Sequence, residues 1–131
     1  MPIHVHYAPD DALAVVDLEG RLRPAYLALA FGALYALPDW RPDADVLVRT
    51  GRVQPHLDGA RDALPAPDPP PTGRWALVGP RARDAALVVA GAAHHAHITA
   101  FASERAALLF LGRDRLPDDL VSVLSVDHGP T

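Results

Sequence analysis

The chain has 131 residues, 50% hydrophobic, 21% charged and 6% aromatic, which suits one compact domain and excludes both two ordinary domains and a disordered chain. All 12 basic residues are arginine, and cysteine is absent, so Schiff-base and P-loop lysines, thiol catalysis, disulfides, iron–sulfur clusters and cysteine zinc sites are excluded. A formal net charge of -4 leaves no electrostatic footprint for nucleic acid.

Ile3–Tyr7 alternates in the manner of a strand, with Ile3, Val5 and Tyr7 on one face and His4 and His6 on the other. The turn residues Pro9-Asp10-Asp11 and the β-branched run in Ala12–Leu18 complete an expected hairpin, closed by Glu19-Gly20. Pro24 suits the first turn of a helix that runs through Tyr26, Leu27, Ala30, Phe31, Leu34 and Leu37 to Pro38. Leu29 and Tyr35 fall outside its main stripe. A helix apolar on most sides is covered by more than one neighbour, so it either lies deep in the fold or makes a subunit contact.

Asp45–Arg49 reads as a short apolar strand, and Gln54–Leu64 as a weaker helix. Five prolines between Pro65 and Pro71 predict a stiff surface connection. Arg74–Val78 is a strand and Arg81–Ala93 a helix of small apolar residues, while His97–Ala102 is a further strand. Ser103 is a good N-cap and Gly112 a good stop for a short helix between them. The VSVLSV core of the last stretch fits either a strand or a helical fragment, and the final residues are expected to be mobile. The string β-β-α-β-α-β-α-β-α predicts an α/β sandwich, with a mostly parallel mixed sheet and helices on both faces. Residues 1–113 form the expected domain and 114–131 a C-terminal extension.

Three stretches carry a resemblance. A strand ending in Glu-Gly leads through a helix to P-D-W-R-P-D-A-D-V-L-V-R, followed by T-G-R-W-A-L-V-G-P and I-T-A-F-A-S-E-R-A-A-L-L-F-L-G. In this order they resemble the SpoIIAA-like (STAS-type) family of small bacterial proteins, over roughly Val5 to Gly112. The family's final strand and helix match at Phe101, Glu104, Ala106, Phe110 and Leu111. The resemblance implies a regulatory or binding domain; some members of this fold resemble lipid carriers. In the anti-sigma-factor antagonists of the wider group an Asp-Ser-Ser-Gly-like turn is phosphorylated. Arg49-Thr50-Gly51-Arg52 stands at that place here, so the phospho-switch does not carry over.

A ligand rim is expected from the predicted sheet. Arg49, Thr50, Gly51 and Arg52 come just after one parallel strand, and Gly79 and Arg81 after the next, where α/β sheets often bind ligands. Arginine there would hold an anionic head group or carboxylate. Among seven histidines, His4, His6, His94 and His97 are weak candidates for a metal, since no established metal spacing is present. Ser103, Ser122, Ser125, Thr50, Thr72 and Thr99 lack a nucleophile elbow, and no cofactor loop exists, so no catalytic residue and no cofactor are assigned.

The start MPIHVHYAPDD lacks a secretory pattern, and the longest apolar stretch, Ala85–Ala93, falls short of the roughly 20 residues of a membrane span. A cytoplasmic protein is expected. The leading function is that of a non-enzymatic regulatory or protein-binding domain, with a homodimer through the Leu29 and Tyr35 face as its simplest form. A carrier of a small apolar or lipid-like ligand ranks second, and a histidine-dependent metal protein third.

Overall fold

Alternation at Ile3, Val5 and Tyr7 gives strand β1 (Pro2–Ala8) one buried face. It turns through Pro9–Ala12, where the Ala12 amide donates to the Pro9 carbonyl at 3.2 Å, into antiparallel β2 (Leu13–Leu22). The computed structural model describes residues 2–55, 69–95 and 98–127. After β2 come α1 (Pro24–Tyr35), β3 (Asp45–Pro55), β4 (Trp75–Val78), α2 (Ala82–Ala93), β5 (Ile98–Phe101), α3 (Glu104–Phe110) and β6 (Val121–Asp127).

The six strands form one mixed sheet in the order β5-β4-β3-β2-β1-β6. Strands β2 to β5 are parallel neighbours, while β1 runs antiparallel to both β2 and β6. The crossovers β2-α1-β3 and β4-α2-β5 advance the same way across the sheet, so a constant hand places both helices on one face. There Leu27, Phe31 and Leu34 of α1 and Ala85, Val89 and Ala93 of α2 cover Val5, Val16, Val48, Trp75 and Leu77. Helix α3 covers the other face over β3 and β4, packing Ala107, Leu108 and Leu111 on Leu13, Val15, Leu47, Ala76 and Val78. Helices on both faces of a mixed sheet are therefore present.

Pro24 opens α1 without a side-chain cap, whereas the Ser103 hydroxyl caps α3 by accepting from the Ala106 amide at 3.2 Å. Helix α2 ends on His94 in the left-handed conformation at φ 55. Its terminal carbonyl on Ala93 accepts from the Tyr35 hydroxyl at 2.6 Å. Tyr35 also packs on Trp40, at 5.3 Å between ring centroids.

Several boundaries differ from those expected. Strand β2 continues to Leu22 and β3 to Pro55 because the two pair in parallel past Leu18, across a bulge that absorbs one extra residue of β3. Gly20, at φ 83, supplies the turn in the backbone there. Gln54 and Pro55 thus lie in a strand and not in the expected helix, whose remaining residues 56–64 fall outside the described residues. The last stretch forms strand β6. Residues 114–127, read as an extension, bring that strand beside β1 and pack Leu116 and Leu120 against the α3 cluster.

Candidate functional site

The expected rim is built differently from a binding loop. Arg49, Thr50, Gly51 and Arg52 lie inside β3, whose pairing with β2 continues beyond them. Thr50 is buried and its hydroxyl donates to the Val78 carbonyl at 3.0 Å. Gly79, at φ 150, presses so closely on this residue that a Cβ there would stand 1.9 Å from Thr50 Oγ1 and 2.3 Å from its carbonyl oxygen. Thr50 and Gly79 therefore form a clasp between the middle of β3 and the end of β4. Gly51 lies under the side chain of Glu19, with the carboxylate 3.3 Å from the place of a Cβ. Arg81 pairs with Asp84 one turn on, Nη2 to Oδ2 3.3 Å. Gly79, Arg81, Arg83, Asp84 and Phe101 border an open depression of about 480 Å³ at the α2 N-terminus. Of the six residues named from the sequence, Thr50 packs against Gly79, Gly79 and Arg81 border the depression, and Arg49 pairs with Asp17 and Glu104.

Arg49 and Asp17 belong to a polar row across four strands. Register places Ser125 of β6 opposite His4 of β1, His4 opposite Asp17 of β2, and Asp17 opposite Arg49 of β3. All four side chains stand on the face that α3 covers only in part. Ser125 Oγ lies 2.9 Å from His4 Nδ1. Arg49 grips Asp17 through two bonds, Nε to Oδ1 at 2.6 Å and Nη2 to Oδ2 at 2.9 Å. Its remaining nitrogen donates to Glu104 Oε1 of α3 at 3.1 Å. His6 reaches the same carboxylate, Nε2 to Asp17 Oδ2 3.8 Å. The hydrogen bond to Asp17 above all, and then that to Glu104, push the Arg49 pKa further up.

Chemically this row is a set of satisfied partners. A bidentate guanidinium–carboxylate pair is rigid and directional, and Arg49 spends all its nitrogens on two acids of its own chain. It is therefore a cross-brace that fixes α3 on the sheet, with a hydroxyl–imidazole pair at its outer end. Asp17 was missed in the sequence because it sits in an apolar run. The signal was parity: Asp17 and Glu19 share the strand face of Leu13 and Val15, a face that turns polar towards the end of β2.

The histidines named as metal candidates are dispersed. His4 and His6 occupy β1 on the α3 side, whereas His94 caps α2 on the opposite face, and His97 lies outside the described residues. Among the described residues no three histidine, aspartate or glutamate side chains gather as a metal set. His95 Nε2 meets the Gly73 carbonyl at 3.1 Å, and the ring packs on Trp75 at 5.1 Å. Nor do Leu29 and Tyr35 share a face: Tyr35 turns to Ala93 and Trp40, while Leu29 is 56% exposed. Six positions along a helix separate two side chains by about 120°, which forbids a common stripe.

No protein-family model, curated protein or solved structure matches the chain. No helix among the described residues is long and apolar enough to cross a membrane.

Proposed function

We propose that this chain is a non-enzymatic, SpoIIAA-like regulatory or protein-binding domain that works by contact between protein surfaces, a second copy of itself being the partner favoured. One observation carries the reading: α1 has no charged residue in its twelve, yet it turns Ala25, Leu29 and Ala33 to solvent, continued by its C-cap Ala36. Exposed apolar surface without a charge is the mark of an interaction face. The self-paired polar row supports a scaffold more than a reaction centre. The phosphorylatable turn of the wider group is replaced by the buried Thr50 clasp, so regulation would run through contact alone. Cytoplasmic placement belongs to the same reading.

The deciding experiment is a native mass spectrum of untagged protein, purified without metal-affinity resin, over a wide concentration range. A species at twice 14.0 kDa supports the reading. A mass fixed at 14.0 kDa throughout overturns the self-contact. A copurified organic ligand or a stoichiometric metal would move the function to the carrier or to the histidines.

A further inference from the structure

Strand β6 ends the sheet, with β1 on one side and no strand of the described residues on the other. Natural sheets blunt such edges with charged residues, proline, short strands or a β-bulge; of these devices β6 carries the bulge, which works against pairing with a regular strand. The opposite edge, β5, obeys by being only four residues long. Strand β6 is seven residues long, has no basic residue or proline, and leaves Val121 60% and Val123 37% exposed.

Its sequence is also self-complementary. Val121-Ser122-Val123-Leu124-Ser125-Val126 reads nearly the same in both directions. An antiparallel self-pair centred between Val123 and Leu124 sets position 121 against 126, Ser122 against Ser125, and Val123 against Leu124. In a regular strand this register fails, because facing residues must share a face and five steps reverse it. Strand β6 is not regular: Val5 pairs with Leu124 and His6 with Ser122, so Val123 is an extra residue. That bulge restores the parity, and it lies at the centre of the near-palindrome. Positions 121, 124 and 126 fall opposite Tyr7, Val5 and Ile3, whereas Ser122 and Ser125 fall opposite His6 and His4.

We infer that two copies of this chain join edge to edge through β6, antiparallel about a two-fold axis normal to the sheet, giving one continuous twelve-stranded sheet. The inference rests on the self-contact reading above and names its seam. Such an axis keeps like faces together, as an isologous contact requires. The α1 helices of both copies then lie on one side, flanking the seam, because α1 packs over this edge through Leu124 in its core cluster. On the other face, Ser122 against Ser125 links the two polar rows into one band from Arg49 of one copy to Arg49 of its partner.

The size of the seam sets its strength. Seven residues at about 3.3 Å span some 23 Å, and a sheet layer plus a helix layer is about 20 Å thick. Each copy thus contributes roughly 500 Å², near the lower limit of about 1,000 Å² in total for a specific interface. The dimer is therefore expected to be concentration-dependent and not obligate.

The test compares wild type, Val123→Lys and Leu29→Asp by sedimentation and native mass spectrometry, with melting curves as the check on folding. Val123→Lys places two like charges at the seam and should weaken association by roughly a hundredfold or more, with melting of the dilute protein unchanged. Leu29→Asp should weaken it less. Amide exchange on alternate residues of β6 should slow as wild-type concentration rises, a readout that needs no variant. A wild-type dimer that Val123→Lys leaves intact, or whose β6 amides show no concentration dependence, overturns the seam but keeps self-association. A wild type that stays at 14.0 kDa removes both.

Discussion

Replacing Gly79 by alanine tests whether the clasp between β3 and β4 is structure or binding site. A Cβ would lie 1.9 Å from Thr50 Oγ1 and 2.3 Å from the Thr50 carbonyl oxygen, with the backbone held at φ 150. Alanine at so unfavourable a φ costs about 1–3 kcal/mol in strain. Relief of the overlap needs a shift of about an ångström in a packed layer, worth about 1–3 kcal/mol more. If Thr50 yields, its bond to the Val78 carbonyl is also lost. A total of about 4 kcal/mol is expected, a large part of the ~5–15 kcal/mol that holds a domain together. With an unfolding entropy of about 2.1 cal/mol/K per residue over 131 residues, the melting temperature should fall by about 15 °C. Urea unfolding of G79A, with T50A and the double variant alongside, reads this directly. T50A removes the hydroxyl and the methyl but not the carbonyl, so the double variant should recover about 1 kcal/mol at most, because the carbonyl overlap remains. A Gly79→Ala protein within about 1 kcal/mol of wild type at unchanged m-value would refute the clasp.

Other consequences follow from the same contacts. Asp17→Asn and Arg49→Gln should each cost about 1 kcal/mol and couple in a double-mutant cycle by less than that, since the side chains are 29% and 36% exposed and the pair is partly screened; urea unfolding checks it, and coupling that vanishes at low salt would remove the cross-brace. Tyr35→Phe should cost about 1 kcal/mol by stripping a donor from the Ala93 carbonyl at the end of α2. Burial raises the Tyr35 pKa well above its ordinary value near 10, so the folded state holds this proton longer than the unfolded one. Stability from it is complete below about pH 10 and declines above; alkaline unfolding curves of wild type and Y35F should converge. A side-chain hydrogen bond in which the Asp11 carboxyl donates to the Asp119 carboxylate raises the pKa of Asp11. The folded state again binds the extra proton, so this contribution is present at acid pH and declines as pH rises through the carboxylate range, a trend that Asp119→Asn should flatten in melting curves against pH.

Elements whose period matched their structure were legible from sequence, and those where a bulge intervened were not. Alternation in Ile3–Tyr7, Pro24 before an apolar run, and Ser103 before Glu104 are local signals, and each marks the element it begins. The strand reads as ending at Arg49 because Thr50-Gly51-Arg52 has the composition of a loop, whereas β3 runs on to Pro55. What keeps that stretch in the sheet is non-local: β2 lies alongside, and Gly20 supplies the positive φ where the register shifts. The polar row was invisible for a related reason, since its members are distributed over four strands and joined only by cross-strand pairing.

Strand β6 shows how the same device hides a strand and gives it a use. Serines at Ser122 and Ser125 are three apart, a spacing that suits a helix and violates strict alternation, so the run looked ambiguous. The extra residue at Val123 brings both serines opposite the histidines of β1 and leaves Leu124 opposite Val5, in the α1 core cluster. A bulge in an edge strand ordinarily discourages pairing by twisting the edge away. At the centre of a near-palindrome it instead makes the two halves equivalent about a two-fold axis. The irregularity that obscured β6 in the sequence is thus the feature that fits its outer edge to a second copy of the same chain.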